Sequence, residues 1–198
     1  MARPLSDAKR LALLQAAIET IAVHGTGAPT AAIAKLAGVA EGTLFKYFST
    51  KNELLNAVYL ALKAELRVAL LAEVSSRGST KSRSKQLWSN YINWGVAHPS
   101  HRRAMSQLAV SDTVTDETRR LGSEGFEAFR ELIQDWRGLC HPAWTQKTKS
   151  AFASAMLTAL ADTTIDFVTR EPRRAEEFTN AGFEAFWRAA SQSRRLPS

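Results

Sequence analysis

A single cysteine, Cys140, stands in the 198 residues of the chain. It rules out an intrachain disulfide framework, and a reducing cytoplasm is the expected setting. Glycine (10) and proline (6) are sparse, which excludes collagen-like and low-complexity architectures. No apolar run is expected to approach the ~18–20 residues of a membrane span, and Met1–Arg10 lacks the apolar core of a signal peptide. Catalytic signatures are missing too: there is no G-x-S-x-G, no phosphate-cradling glycine loop and no complete dinucleotide fingerprint. His98 and His101 lie three apart, with Cys140-His141 elsewhere, but neither pair completes a metal ligand set, and His98-Pro99 reads as a helix boundary. Asp162 and Asp166, one helical turn apart, read as a like-charge surface pair rather than an acid–base couple. The expectation is no catalytic residue, no metal, no cofactor and no membrane.

What remains is helix. Hydrophobic residues at 45% and charged residues at 23% suffice for a buried core and exclude disorder as the main state. Leu14, Ile18 and Ile21 share one helical face, as do Leu55, Val58, Leu62 and Leu66. The pattern returns in Trp88, Tyr91, Ile92 and Gly95, in Phe126, Phe129, Ile133 and Trp136, and in Phe152, Met156, Ala159 and Phe167. No alternating strand or Asn-Gly hairpin interrupts it. Thr50-Lys51-Asn52-Glu53 is a capping box, and Pro99 and Pro172 suit first-turn positions. The fold is predicted to be all-α, with about nine helices. Helices are short up to Phe48 and long beyond Lys51, in stretches such as 51–75, 115–138 and 144–170. That contrast divides the chain into a compact module, residues 1–50, and a larger bundle, residues 51–198.

Charge is uneven. Residues 1–120 carry 16 basic and 9 acidic side chains, whereas residues 121–198 carry ten of each. Counterion release from a polyanion rewards a basic front half, although a merely soluble basic surface has the same composition. Within that half, residues 30–48 read as helix, tight turn, helix. Gly38 can adopt the left-handed conformation that ends the first helix, and small Ala34 and Ala37 permit close helix approach. Leu44 and Phe48 face a core, so Thr43, Lys46 and Tyr47 occupy the opposite face of the second helix. Donors and a cation on a short helix suit a DNA major groove. An ordinary helical hairpin with a polar face is the competing reading.

The run from about Ala8 to Tyr59 resembles the DNA-binding domain of the TetR family of bacterial transcriptional regulators. The resemblance rests on Gly25, Thr30, Ile33-Ala34, Ala37-Gly38-Val39, Gly42-Thr43-Leu44, Tyr47-Phe48, Lys51 and Glu53-Leu54. It implies a three-helix helix-turn-helix module and a helical bundle for ligand binding and dimerisation. It further implies a homodimer that grips a near-palindromic double-stranded operator and releases it when a small molecule enters the bundle. Thr30 and Lys51 match phosphate-contacting positions, and Thr43, Lys46 and Tyr47 match positions that touch bases or phosphates. Gly42 matches a small residue that admits the DNA backbone. Two departures stand out. Ala40 replaces a common Ser, leaving one cap or phosphate bond open to question, and Phe45 replaces a frequent Tyr, so it would pack on sugar or a thymine methyl. Glu41 either accepts from cytosine N4 or, by preference, complements the helix dipole.

Aromatic residues crowd the bundle. Trp88, Tyr91 and Trp94 on one helix, Phe126, Phe129 and Trp136 on another, and adaptable Met105 and Met156 are the candidates for an apolar or aromatic ligand's cavity; core filling is the plainer reading. The stretch 51–75 is the expected lever between module and bundle. Small residues narrow 144–170, and 173–190 carries apolar side chains on two stripes. Ala155, Ala159, Phe178, Phe186 and Trp187 are therefore the candidate dimer residues. A DNA-binding dimer whose bundle docks a protein, or senses nothing, is the second reading. A helical-bundle enzyme is a distant third.

Overall fold

The computed structural model describes residues 6–74, 77–127 and 144–191. Among these the chain forms nine α-helices and two short 3-10 turns, with no strand. The helices are α1 (Asp7–His24), α2 (Thr30–Leu36), α3 (Glu41–Tyr47), α4 (Lys51–Leu71), α5 (Thr80–Ala97), α6 (Pro99–Ala109), α7 (Asp116–Gly122), α8 (Gln146–Arg170) and α9 (Ala175–Ser191). The 3-10 turns are Gly25–Gly27 and Pro172–Arg174. The all-α expectation is met.

Local chemistry sets the helix ends. Pro99 occupies the first turn of α6, where a missing N–H costs nothing. Thr115 and Thr145 cap α7 and α8 by accepting the backbone N–H of Thr118 and Thr148 at 3.1 and 3.2 Å. The capping box before α4 forms in altered register. Thr50 Oγ1 accepts from the Glu53 N–H at 3.1 Å, but the Glu53 carboxylate reaches back to Ser49, accepting its N–H at 2.8 Å and its hydroxyl at 2.6 Å. The expected single helix over 115–138 is corrected: α7 stops at Gly122, and a turn follows with Gly125 at φ +78°. Residues 128–138 lie outside the described part of the chain.

Packing divides the chain into two units, and differently from helix length. Unit 1 comprises Met1–Glu65 and His98–Glu124; unit 2 comprises Leu66–Ala97 and Gly125–Ser198. In unit 1, α1 packs on α2 and α6, and α2 packs on α3. Leu13, Ala17, Ile21, Ile33, Leu44, Phe48, Leu54, Val58, Leu62 and Leu108 are all buried there. In unit 2, α5, α8 and α9 pack together around Trp88, Ile92, Leu157, Ile165, Phe183 and Phe186. Gly182 allows this contact, because a Cβ at that position would lie 2.3 Å from Thr164 Oγ1 and 2.8 Å from Trp88 Cζ2.

One expectation about the bundle is overturned. Ala151–Arg170 is long and apolar enough to cross a membrane by length and composition, with 33% of its most apolar stretch buried in the chain. Asp162 and Asp166 interrupt the run, but mean hydropathy absorbs two carboxylates in a segment this rich in Ala, Leu and Phe. Among the described residues it is one such helix, and core helices meet the same criterion.

Candidate nucleic-acid interface

The turn between α2 and α3 follows from two residues. Gly38 lies at φ +69°, and its N–H donates to the Lys35 carbonyl at 3.1 Å while the Val39 N–H donates to the Ala34 carbonyl at 3.0 Å. This pair of bonds is a Schellman termination, and it requires the left-handed residue that glycine supplies without a Cβ penalty. Three residues later α3 begins at Glu41, capped by Ala40 with no side-chain hydrogen bond. The missing serine hydroxyl therefore has no substitute at that cap.

Burial orients α3. Leu44 is 0% exposed and the following Phe48 is 1% exposed, with the Arg10 guanidinium 5.3 Å from the Phe48 ring centroid. Anchored on that side, the helix leaves Glu41, Gly42, Phe45 and Lys46 exposed, while Thr43 and Tyr47 are half-buried. No atom lies within 4 Å of where a Gly42 Cβ would stand, so the backbone here is open to approach. The Phe45 side chain is an exposed apolar surface. Lys51, half-buried at the start of α4, and exposed Lys35 and Lys46 make the surroundings basic.

Two hydrogen bonds tie expected contact residues to each other or to the scaffold, and neither was foreseen. The Thr30 hydroxyl, at the start of α2, donates to Glu41 Oε1 at 2.5 Å and so joins the N-termini of both motif helices. The Tyr47 hydroxyl accepts the Ser6 N–H at 2.9 Å, just ahead of α1, leaving its own proton for another acceptor. No signal in the sequence reveals pairs 11 and 41 positions apart. The Glu53 carboxyl is held below its ordinary value by the Ser49 hydroxyl and then by the Ser49 N–H, which fixes the chain entering α4.

The described members of the expected ligand cluster have different surroundings. The Trp88 indole N–H donates to the Thr179 carbonyl at 3.0 Å and its ring stacks on Phe186 at 5.6 Å, so Trp88 is a core residue. Met105 is buried in unit 1, and Met156, 40% exposed, faces outward from unit 2. Trp94 is buried and Tyr91 half-buried. Phe126 lines a small cleft with Arg67, Leu70, Leu71, Leu87 and Gly125, about 190 Å³ including space open to solvent. Phe129 and Trp136 lie outside the described residues.

The dimer candidates also divide. Phe186, only 4% exposed, is spent inside its own chain, and Phe178 and Trp187 pack partly against the same core. Ala155 and Ala159 are exposed on α8, together with Phe152 (40%), Met156 and Phe167 (44%). The period that marked this face in the sequence is real, but the face points away from the chain's own core.

A short helix seated by two buried side chains, following a glycine-dependent tight turn and presenting an open backbone at Gly42 with an exposed Lys46, defines a helix-turn-helix DNA-binding regulator. Comparison with known proteins makes the assignment specific. The family described as bacterial regulatory proteins, tetR family, matches residues 13–58. A tetR family transcription regulator from Shewanella sp. PV-4 is 30% identical, with a TM-score of 0.74 over 91% of this chain and 97% of that one. A transcriptional regulator of the family from Vibrio parahaemolyticus is 26% identical, with a TM-score of 0.63 over 91% and 97% of the two chains. One from Marinobacter aquaeolei VT8 shares the fold at 22% identity, with a TM-score of 0.70 over 92% and 95%. The chain belongs to the TetR family of bacterial transcription regulators.

Proposed function

We propose that the protein is a homodimeric repressor that binds a near-palindromic operator through α3 and is released by a small apolar or aromatic ligand. The observation that carries the DNA reading is the division of α3 by burial. Leu44 is fixed inside, while Gly42, Phe45 and Lys46 lie on the opposite, exposed side. Lys46 and Lys51 supply phosphate or base contacts, Thr43 and the Tyr47 hydroxyl add donors, and Phe45 offers an apolar edge to a thymine methyl. Thr30 offers a hydroxyl to phosphate, and Glu41 complements the dipole at the N-terminus of α3.

The outward stripe Phe152, Ala155, Met156, Ala159 and Phe167 on α8 supports dimerisation, because apolar residues at helical spacing gain from being covered. Two-fold symmetry would set the recognition helices about 34–36 Å apart, one turn of DNA. For the ligand, support comes from the cleft beside Phe126, apolar except for Arg67. Transcriptional regulators of the same fold have been solved with proflavine, in the case of LfrR from Mycobacterium smegmatis, and with stearoyl-CoA, in the case of FadR from Bacillus subtilis. Helix α4 spans both units in sequence, contributing residues up to Glu65 to one and from Leu66 to the other, and is the proposed lever.

Selection of bound duplexes from random DNA by the purified protein tests the central claim. Enrichment of one palindrome whose half-sites are a helical turn apart is expected. Recovery of unenriched DNA would overturn it.

A further inference from the structure

Away from α3, unit 1 brings Glu65 to two histidines, His98 and His101, that lie 33 and 36 positions further along the chain. Glu65 lies near the C-terminal end of α4, His98 immediately precedes α6, and His101 sits in its first turn. One ligand atom from each lies within 4.8 Å of the other two. We propose that Glu65, His98 and His101 bind one zinc-class divalent ion.

The donor set fits the chemistry. Two imidazole nitrogens and one carboxylate oxygen suit zinc, cobalt(II) or nickel(II), and three protein ligands leave a position for water or a further ligand. A tetrahedral ion with bonds of ~2.1 Å would set its ligands about 3.4 Å apart, so modest side-chain rotation closes the group. His101 Nδ1 already stands 2.9 Å from both Glu65 oxygens, with the His101 side chain 13% exposed. The ion would replace the proton shared there. His98 is exposed, with its ring 5.2 Å from that of His101. On the far side, His101 Nε2 lies 3.2 Å from the side-chain amide of Gln15 on α1. Reorienting that amide presents its oxygen to an Nε2–H, the outer partner that metal-bound imidazoles use to fix their tautomer.

Position adds a consequence. Glu65 is the last residue of the first segment of unit 1, and His98 is the first of its second segment. A bound ion would therefore cross-link the two points where the chain leaves and re-enters the unit, closing residues 66–97 into a loop.

Cobalt(II) titrated into the full-length protein after chelator treatment gives a direct reading, because tetrahedral coordination is visible in its absorption. One equivalent per chain, displaced by zinc, is expected. His98→Ala and Glu65→Gln should each weaken binding at least ~10-fold, Gln15→Leu about 10-fold, and Cys140→Ser not at all. Zinc should raise the thermal unfolding midpoint of the parent over its own value in chelator, and leave that of His98→Ala unchanged from its value in chelator. Absence of a stoichiometric cobalt spectrum would overturn the proposal. So would full-strength binding in both His98→Ala and Glu65→Gln, which would place the ion elsewhere. DNA selection is a separate readout, so failure of this site leaves the operator reading standing.

Discussion

Glu41 is an acidic residue on a surface meant to meet phosphate, and its neutralisation distinguishes two roles. In the structure its carboxylate takes the only proton of the Thr30 hydroxyl, at 2.5 Å. A phosphate oxygen that claims that proton at ~2.7 Å would stand no more than about 5 Å from the carboxylate. Two negative charges at that distance in water repel by about 0.8 kcal/mol, close to a fourfold change in affinity. Glu41→Gln retains the size and an accepting oxygen while removing the charge. It should therefore raise operator affinity about fourfold at low salt, with the gain shrinking as salt rises. Fluorescence anisotropy with a labelled operator, read at several salt concentrations, measures both. Thr30→Val should lower affinity, and most of the Glu41→Gln gain should vanish in the double variant, since the two share one hydrogen bond. The refuting result is a loss of affinity in Glu41→Gln confined to operators bearing a particular C·G pair. In that case the carboxylate reads cytosine N4, and its bond to Thr30 is only the resting state.

Lys46→Ala and Lys51→Ala should each weaken operator binding, and a lysine that meets only phosphate should lower the slope of log affinity against log salt by about one while sparing sequence preference. Gly38→Ala should destabilise the protein by about 1–2 kcal/mol in chemical denaturation, from backbone conformation alone, because no atom lies within 4 Å of the added Cβ at φ +69°. The lowered Glu53 pKa contributes stability above the ordinary value of 4.5 that is lost as pH falls through the folded value. Glu53→Gln should accordingly flatten the decline of the unfolding midpoint below pH 4.5. Phe152→Glu or Met156→Glu should dissociate the proposed dimer in sedimentation without loss of helicity, because both side chains are already exposed in the single chain.

The motif was legible because its determinants are local. A glycine ends α2, small residues flank it, and Leu44 and Phe48 sit four apart, so spacing alone located the turn and the buried side of α3. Thr43 and Tyr47 are more enclosed than spacing implied, and the Tyr47 hydroxyl reaches back to Ser6. In the bundle, periodicity separated helix faces but not which face turns inward. Trp88 and Phe186 stack on each other, whereas Phe152 and Phe167, equally apolar, face out. Aromatic content cannot distinguish a cavity wall from a packed core, since both demand the same side chains. The carboxylate that accompanies His98 and His101 was beyond reach for another reason: Glu65 is 33 and 36 positions away, and only the return of α6 to unit 1 brings it there.

That return also affects how the protein is made. Buried Ala104, Met105 and Leu108 lie on α6, which packs on α1, yet α6 begins only at Pro99. A nascent chain that has released α1 through α3 from the ribosome carries the whole motif but not the helix that covers α1. The part of the apolar face of α1 that α6 covers stays wet until residues beyond 98 emerge, so this end of the protein should acquire its full protection late in translation rather than first. Truncated products ending soon after α4 would expose the same face, which makes them natural clients for chaperones and proteases rather than stray operator binders.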